Sequence, residues 1–288
     1  MRNILLVLSV LFYSLIQAQT TENVQNSLLW KISGNGLKKP SYIFGTIHLI
    51  PKDDYFFTDA MKEKFDSCEN LVLEIDINLS LAEQINAAKQ MMFPNGKTLR
   101  NYMSENEFLS LETYLLDSLA IKESTFKKIQ KIKPLLSSGL ILKDLIGKTK
   151  TYEEELNKRA KKNKMEIFGL ETLQFQIDLI NNISIEDQIK MLLEDDMSVN
   201  PSDEYYKMLS FYKAQNLDSL KVLIDSDDSI AELGDKFLKD RNADWISKIE
   251  KFIAKNASFI AVGAGHLAGN DGVLALLREK GYKTEPVK

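Results

Sequence analysis

Apolar and polar positions are arranged differently in successive stretches of this chain. Near the start, Ser27 to Ile32 (SLLWKI) and Ser41 to Ile47 (SYIFGTI) are β-rich runs, and the SGNGLKKP between them carries Gly34, Asn35, Gly36 and Pro40. That pattern predicts a hairpin. Thr58 to Ser67 has helical spacing, with Ala60, Met61 and Phe65 as its apolar positions. Asn70 to Ile77 (NLVLEIDI) is almost continuously apolar, which suits a strand buried on both faces. Helical patterning then runs from about Ser80 to Asn163, with Pro94 and Pro134 as breaks. Lys164 to Leu170 (KMEIFGL) returns to strand, and helical patterning resumes from Thr172 to Asn256, punctuated by Pro201 and Gly234. Ala257 to Ala264 (ASFIAVGA) reads as strand, Asp271 to Lys280 as helix and Tyr282 to Val287 as a last strand.

Strands cluster at the two ends and near residue 167, with helices between them. This predicts an α/β fold: a central mixed β-sheet flanked by helices. A large helical insertion, about 80–163 and 172–256, separates the N- and C-terminal sheet-forming halves. Residues 19–288 are expected to form a single domain, long enough to bury a core without staples.

The first residues add a location. Arg2 precedes an apolar stretch from Ile4 to Ile16, and Gln17-Ala18-Gln19 follows with a small residue where cleavage belongs. The stretch falls short of the roughly 20 residues that a bilayer-spanning helix needs. Residues 1–18 therefore read as a signal peptide, which predicts a secreted or periplasmic protein with no stable membrane insertion after cleavage. The net charge of −4, without a large basic cluster, argues against nucleic acid as a partner. The single cysteine, Cys68, can make no disulfide within the chain and is expected to be buried as a small hydrophobe.

The candidate chemistry sits on two turns. The chain has only two histidines, and both occur as Gly-x-x-His: Gly45-Thr46-Ile47-His48 and Gly263-Ala264-Gly265-His266. Each follows a strand-like run, and in open α/β sheets ligands gather outside the carboxyl ends of strands. Glycine there lets the backbone turn or approach another group closely. Imidazole is the commonest metal ligand and the physiological acid or base. Two histidines cannot make a three-His zinc site, so any metal here needs carboxylates too. Glu74 lies inside the apolar strand NLVLEIDI, where a carboxylate is costly to bury unless paired or metal-bound, with Asp76 on the same face. Glu171 directly follows KMEIFGL, at another strand end. Arg241 falls on the apolar stripe of KFLKDRNADWISKIEKFI, with Leu238, Trp245, Ile249 and Phe252. A cation there wants a buried carboxylate or a substrate anion.

The paired turns, with LLWKISGNGLKKPSYIFGTIHL, NLVLEID, IFGLETLQFQ, DRNADWISKI and FIAVGAGHLAGNDGVLALLREKGYKTEPV, resemble the TraB/GumN family, which includes the Tiki metalloproteases. The resemblance implies a metal-dependent hydrolase, with peptidase activity as in Tiki-like members and manganese or cobalt as the favoured ions. It also implies kinship of fold with the erythromycin esterase and haem-binding ChaN groups. His48 and His266 match the signature histidines, and Glu74, Glu171, Arg241 and Asn242 match recurrent acidic and Arg-Asn positions.

Three functions follow as expectations. In the first, a divalent ion, Mn²⁺ with Co²⁺ or Zn²⁺ as alternatives, is held by His48, His266 and Glu74 and activates water against a peptide or protein substrate. Glu171 then serves as general base, although the roles of the two glutamates can be exchanged. In the second, the chain binds haem or a metal without catalysis. In the third, it sequesters a peptide in the same cleft.

Overall fold

The computed structural model describes residues 26–194, 200–226 and 235–288. The expected signal peptide, residues 1–18, and the interruption at Gly234 lie outside those residues. Among the described residues no helix is long and apolar enough to cross a membrane.

The hairpin forms as the pattern predicts. β1 (Leu29–Gly34) and β2 (Ser41–Thr46) pair antiparallel, with Trp30 opposite Ile43. Gly34, Asn35 and Gly36 turn the chain with φ of 82°, 46° and 79°, a left-handed run that glycine and asparagine tolerate best. A short ribbon follows, in which β3 (Ile50–Pro51) pairs with β5 (Thr149–Lys150). α1 (Asp59–Asp66) starts where the Thr58 hydroxyl accepts from the Met61 N–H, and it buries Met61 and Phe65.

The main sheet also contains β4 (Asn70–Ile75), β6 (Glu166–Glu171), β7 (Ser258–Gly263) and β8 (Tyr282–Pro286), in the order β6-β4-β7-β2-β1-β8. The first four strands in that order run parallel, and β1 runs antiparallel to both of its neighbours. It is the mixed sheet expected. β4 is an interior strand, so its near-continuous apolar run reflects burial between neighbours; Leu71, Val72 and Leu73 have no exposed surface.

Helices fill the intervals: α2 (Leu81–Met91), α3 (Glu105–Thr113), α4 (Glu123–Ile129), α5 (Pro134–Ile146) and α6 (Tyr152–Asn163) between β4 and β6. α7 (Leu173–Asn181), α8 (Ile185–Glu194), α9 (Pro201–Lys213), α10 (Leu217–Asp225) and α11 (Asp240–Lys255) lie between β6 and β7, and α12 (Val273–Glu279) precedes β8. Two details differ from expectation. The first helical stretch is interrupted by β5, whose two residues are too few for a periodic signal. Pro134 and Pro201 stand in first turns, where a missing N–H is harmless, so each starts a helix rather than breaking one. The insertion has a core of its own around Phe93, Leu99, Phe108, Leu111, Phe126 and Ile129, separate from the core on the sheet. Cys68 is buried, and loss of hydration pushes its thiol up to about 12, which leaves it inert as a nucleophile at neutral pH.

The sheet's polarity sets the site. Thr46 is in register with Gly263, and Ile75 with Glu171. The parallel strands β6, β4, β7 and β2 therefore bring Glu171, Glu74 and both Gly-x-x-His turns to one edge, at their carboxyl ends.

Candidate active site

Gly45 explains why the two turns share an edge. A Cβ there would lie 3.0 Å from Leu267 Cδ1 and 3.1 Å from Ala264 Cα, so the first turn packs directly onto the second. The backbone of Gly45 is not left-handed; close approach is what requires glycine.

Beyond Gly263 the chain tightens into a single 3₁₀ turn, Ala264–His266, that buries the His266 ring. Its Nδ1 lies 2.6 Å from Asn242 Oδ1, and the Asn242 amide N–H donates to the Asp271 carbonyl at 2.8 Å. That second bond fixes the amide, so Nδ1 carries the proton and Nε2 keeps its lone pair. Nε2 faces Arg241 Nη1 at 3.3 Å and Glu74 Oε1 at 3.8 Å. Burial lowers the imidazole to about 4, against a smaller opposing pull from Glu74, so His266 is neutral at neutral pH.

Arg241 holds the cluster together. A five-residue π-helical turn, Asp235–Lys239, precedes α11 and presents the Phe237 carbonyl to Arg241 Nη1 at 3.0 Å. Nη2 donates to Glu74 Oε2 at 2.7 Å and to Glu171 Oε2 at 2.8 Å, and Nε donates to Glu171 Oε1 at 2.9 Å. The guanidinium also lies over the Trp245 ring, 4.8 Å from its centroid. The side chains of Arg241, Glu74 and Glu171 are only 9%, 12% and 2% exposed.

Each carboxylate oxygen has a donor. Gly263 N–H serves Glu74 Oε1 at 2.8 Å, Trp245 Nε1 serves Glu171 Oε1 at 2.7 Å, and Gln176 Nε2 bridges the two Oε2 atoms at 3.3 and 3.2 Å. Burial alone would raise Glu74, but the positive charges of His266, His48 and Arg241 and the Gly263 N–H bring it down to about 2. With His266 neutral at neutral pH, Arg241 and His48 are what keep that carboxylate charged.

His48 stands apart from this cluster. Its side chain is 78% exposed, and Nδ1 faces Glu153 Oε1 at 3.8 Å. Glu153 comes from the first turn of α6 and accepts the Thr46 hydroxyl at 2.9 Å. The Glu153 carboxylate raises the imidazole towards about 9, against desolvation, with Glu74 adding to the rise and Arg241 opposing it. Water at so open a ring screens much of this pull. His48 thus feels the cluster electrostatically but makes no direct bond to it.

The structure therefore brings together Glu74, Glu171, Arg241, Asn242 and His266 of the residues singled out from sequence, and sets His48 beside them. Asp76 does not join; its Oδ1 accepts from Asn78 just past the end of β4. Trp245, expected as stripe, and Gln176 belong to the cluster, and Glu153 and Thr46 to His48. A buried tryptophan needs an acceptor for its N–H, which is the one signal that could have pointed to Trp245. Glu153 is hidden in TYEEEL, where three successive glutamates read as partners of a helix N-terminus.

The metal centre implied by the resemblance needs His48, His266 and Glu74 to converge. They do not: among the described residues no three His, Cys, Asp or Glu side chains are placed to hold a metal ion. The physical reason is that Arg241 already supplies the positive charge between the two carboxylates and covers the His266 lone pair, while His48 turns to Glu153. The donors do not fit a divalent ion in this arrangement.

The chain belongs to the TraB/PrgY/gumN family, whose model matches residues 28–286, nearly its whole length. No curated protein and no solved structure gives a significant match.

Proposed function

We propose that this TraB/PrgY/gumN member is a hydrolase that cleaves a peptide bond in a peptide or protein outside the cytoplasm, with His48 moving the proton. The observation that carries this reading is the pairing of an open imidazole with a buried, charge-bearing cluster at the ends of adjacent parallel strands. An exposed His48 can reach substrate and water, and an imidazole whose basicity is raised by Glu153 carries a proton at neutral pH that it can give to the leaving amine, after which the neutral ring can take the proton that the attacking water loses. The Arg241–Glu74–Glu171–His266 cluster is rigid, because its donors and acceptors are mutually occupied, and so offers a fixed wall against which a substrate is oriented. The peptide substrate and the export rest on the resemblance and on the N-terminal apolar stretch.

A second reading, a peptide-sequestering protein, is favoured by that same saturation, since a cluster with its carboxylate oxygens satisfied needs no reaction to explain it. A mixed peptide library separates the two. Turnover by the native protein that disappears in His48→Ala, with melting temperature unchanged, is the result expected. Peptide capture without cleavage would support sequestration.

A further inference from the structure

We propose that α9 and α10 form a clamp on the two histidine turns, with Tyr205 and Tyr212 as positioning residues that hold the His48 backbone beside the Arg241 cluster. The proposal rests on the hydrolase reading for its effect on turnover, though not for its geometry. The His48 ring is 78% exposed, so packing does not fix where it stands, and its position follows from the backbone that carries it. That backbone is gripped on both sides of the histidine. The Tyr212 hydroxyl donates to the Gly45 carbonyl at 2.9 Å, and the Tyr205 hydroxyl donates to the Leu49 carbonyl at 2.8 Å. Both hydroxyls come from one face of α9, where Tyr205, Leu209 and Tyr212 are buried at helical spacing. Phenylalanine would fill the same volume there. A buried tyrosine hydroxyl needs a partner, and both of these find theirs on the segment that carries His48. Loss of hydration raises both phenols above their ordinary value, so each keeps the proton it donates. Lys213, at the end of the same helix, adds an ion pair to Asp54 beyond β3.

The connection to α10 continues the grip. Gln215 turns the chain between the two helices with a φ of 55°, and its Oε1 accepts from the Leu28 N–H at 3.1 Å. The Leu28 carbonyl in turn accepts from the Gly45 N–H at 2.8 Å. α10 then packs on the second turn: a Cβ at Gly265 would lie 2.8 Å from Ile224 Cδ1. The two Gly-x-x-His turns, already in contact at Gly45, are thus both braced by one helical hairpin drawn from the insertion.

Tyr205→Phe and Tyr212→Phe each remove one hydroxyl and keep the ring. ¹⁵N relaxation of the full-length protein should show rigid amides at Ile47, His48 and Leu49, with order parameters of about 0.85 that fall towards about 0.6 in the double variant. The amides of β7 should keep their native values. Where a peptide is turned over, kcat of the double variant should fall about 10–10²-fold with KM within about twofold, because the reacting group is misplaced while the substrate still meets the same walls. Tyr206→Phe, on the same helix but 46% exposed, should leave both readouts as in the native protein. The single variants carry the test if the double variant does not fold. Unchanged order parameters at Ile47, His48 and Leu49 in every variant would overturn the proposal, as would an unchanged kcat where a peptide is cleaved. Equal loosening of β7 would also overturn it, since the tyrosines would then support the sheet rather than the turn. Relaxation needs no substrate, so absence of peptide cleavage would end the hydrolase reading while the amides still decide this one.

Discussion

Arg241→Met removes the guanidinium that faces both Glu74 and Glu171 and keeps most of the side-chain volume. Three charge-assisted contacts of 2.7, 2.8 and 2.9 Å to the two carboxylates are lost, at side chains that are 9%, 12% and 2% exposed. Glu74 and Glu171 are left close together in a site that water barely reaches, and removing one partner from such a pair costs about 3–5 kcal/mol. At roughly 2–4 °C per kcal/mol for a chain of this size, the melting temperature should fall by on the order of 10 °C. Arg241→Lys keeps a charge but cannot span two carboxylates in a planar fork, so it should lie between the native protein and Arg241→Met. Adding Glu74→Gln and Glu171→Gln to Arg241→Met removes the stranded charges, and the triple variant should be more stable than Arg241→Met alone. Chemical denaturation followed by circular dichroism gives these numbers. A loss below about 1 kcal/mol in Arg241→Met, with no recovery in the triple variant, would refute the reasoning and return Arg241 to a side chain that lies along the surface.

Two further outcomes are expected. His266 is held below its ordinary value, from 6.5 to about 4. The unfolded chain therefore takes up a proton in that window while the native one does not, so stability should drop as pH falls from 6.5 towards 4, by up to about 3 kcal/mol. Urea midpoints across that range should lose most of this slope in His266→Phe; an unchanged slope would show that His266 is not buried neutral. Glu74, lowered from 4.5 to about 2, contributes a separate loss below that window. Export is tested by N-terminal sequencing of protein recovered outside the cytoplasm. It should begin after Ala18, and a chain that starts at Met1 would contradict the signal-peptide reading.

Much of this arrangement was legible because charge stood out against apolar pattern. Glu74 interrupts NLVLEIDI and Arg241 interrupts an apolar helix stripe, and the structure joins the two at 2.7 Å. The strands SYIFGTI and ASFIAVGA announced themselves by composition, and their parallel pairing carries both histidine turns to one edge. What stayed hidden depends on contacts between distant residues. The β3–β5 ribbon has two residues per strand and leaves no period to detect. Glu153 looks like its neighbour Glu154 in sequence, and only the packing of α6 against the sheet sets it beside Thr46 and His48. The sequence also offered His48, His266 and Glu74 as equivalent metal donors. It could not reveal that Arg241 would lie against two of them and that the third would face elsewhere.

The central claim is that His48 does the chemistry and the Arg241 cluster holds the frame. Peptide-library turnover measured beside thermal melting for the native protein and His48→Ala tests it most directly. The account predicts cleavage by the native protein and a loss of about 10²–10⁴-fold in His48→Ala, with the melting temperature within about 1 °C because the side chain is exposed. Full turnover in His48→Ala would contradict it.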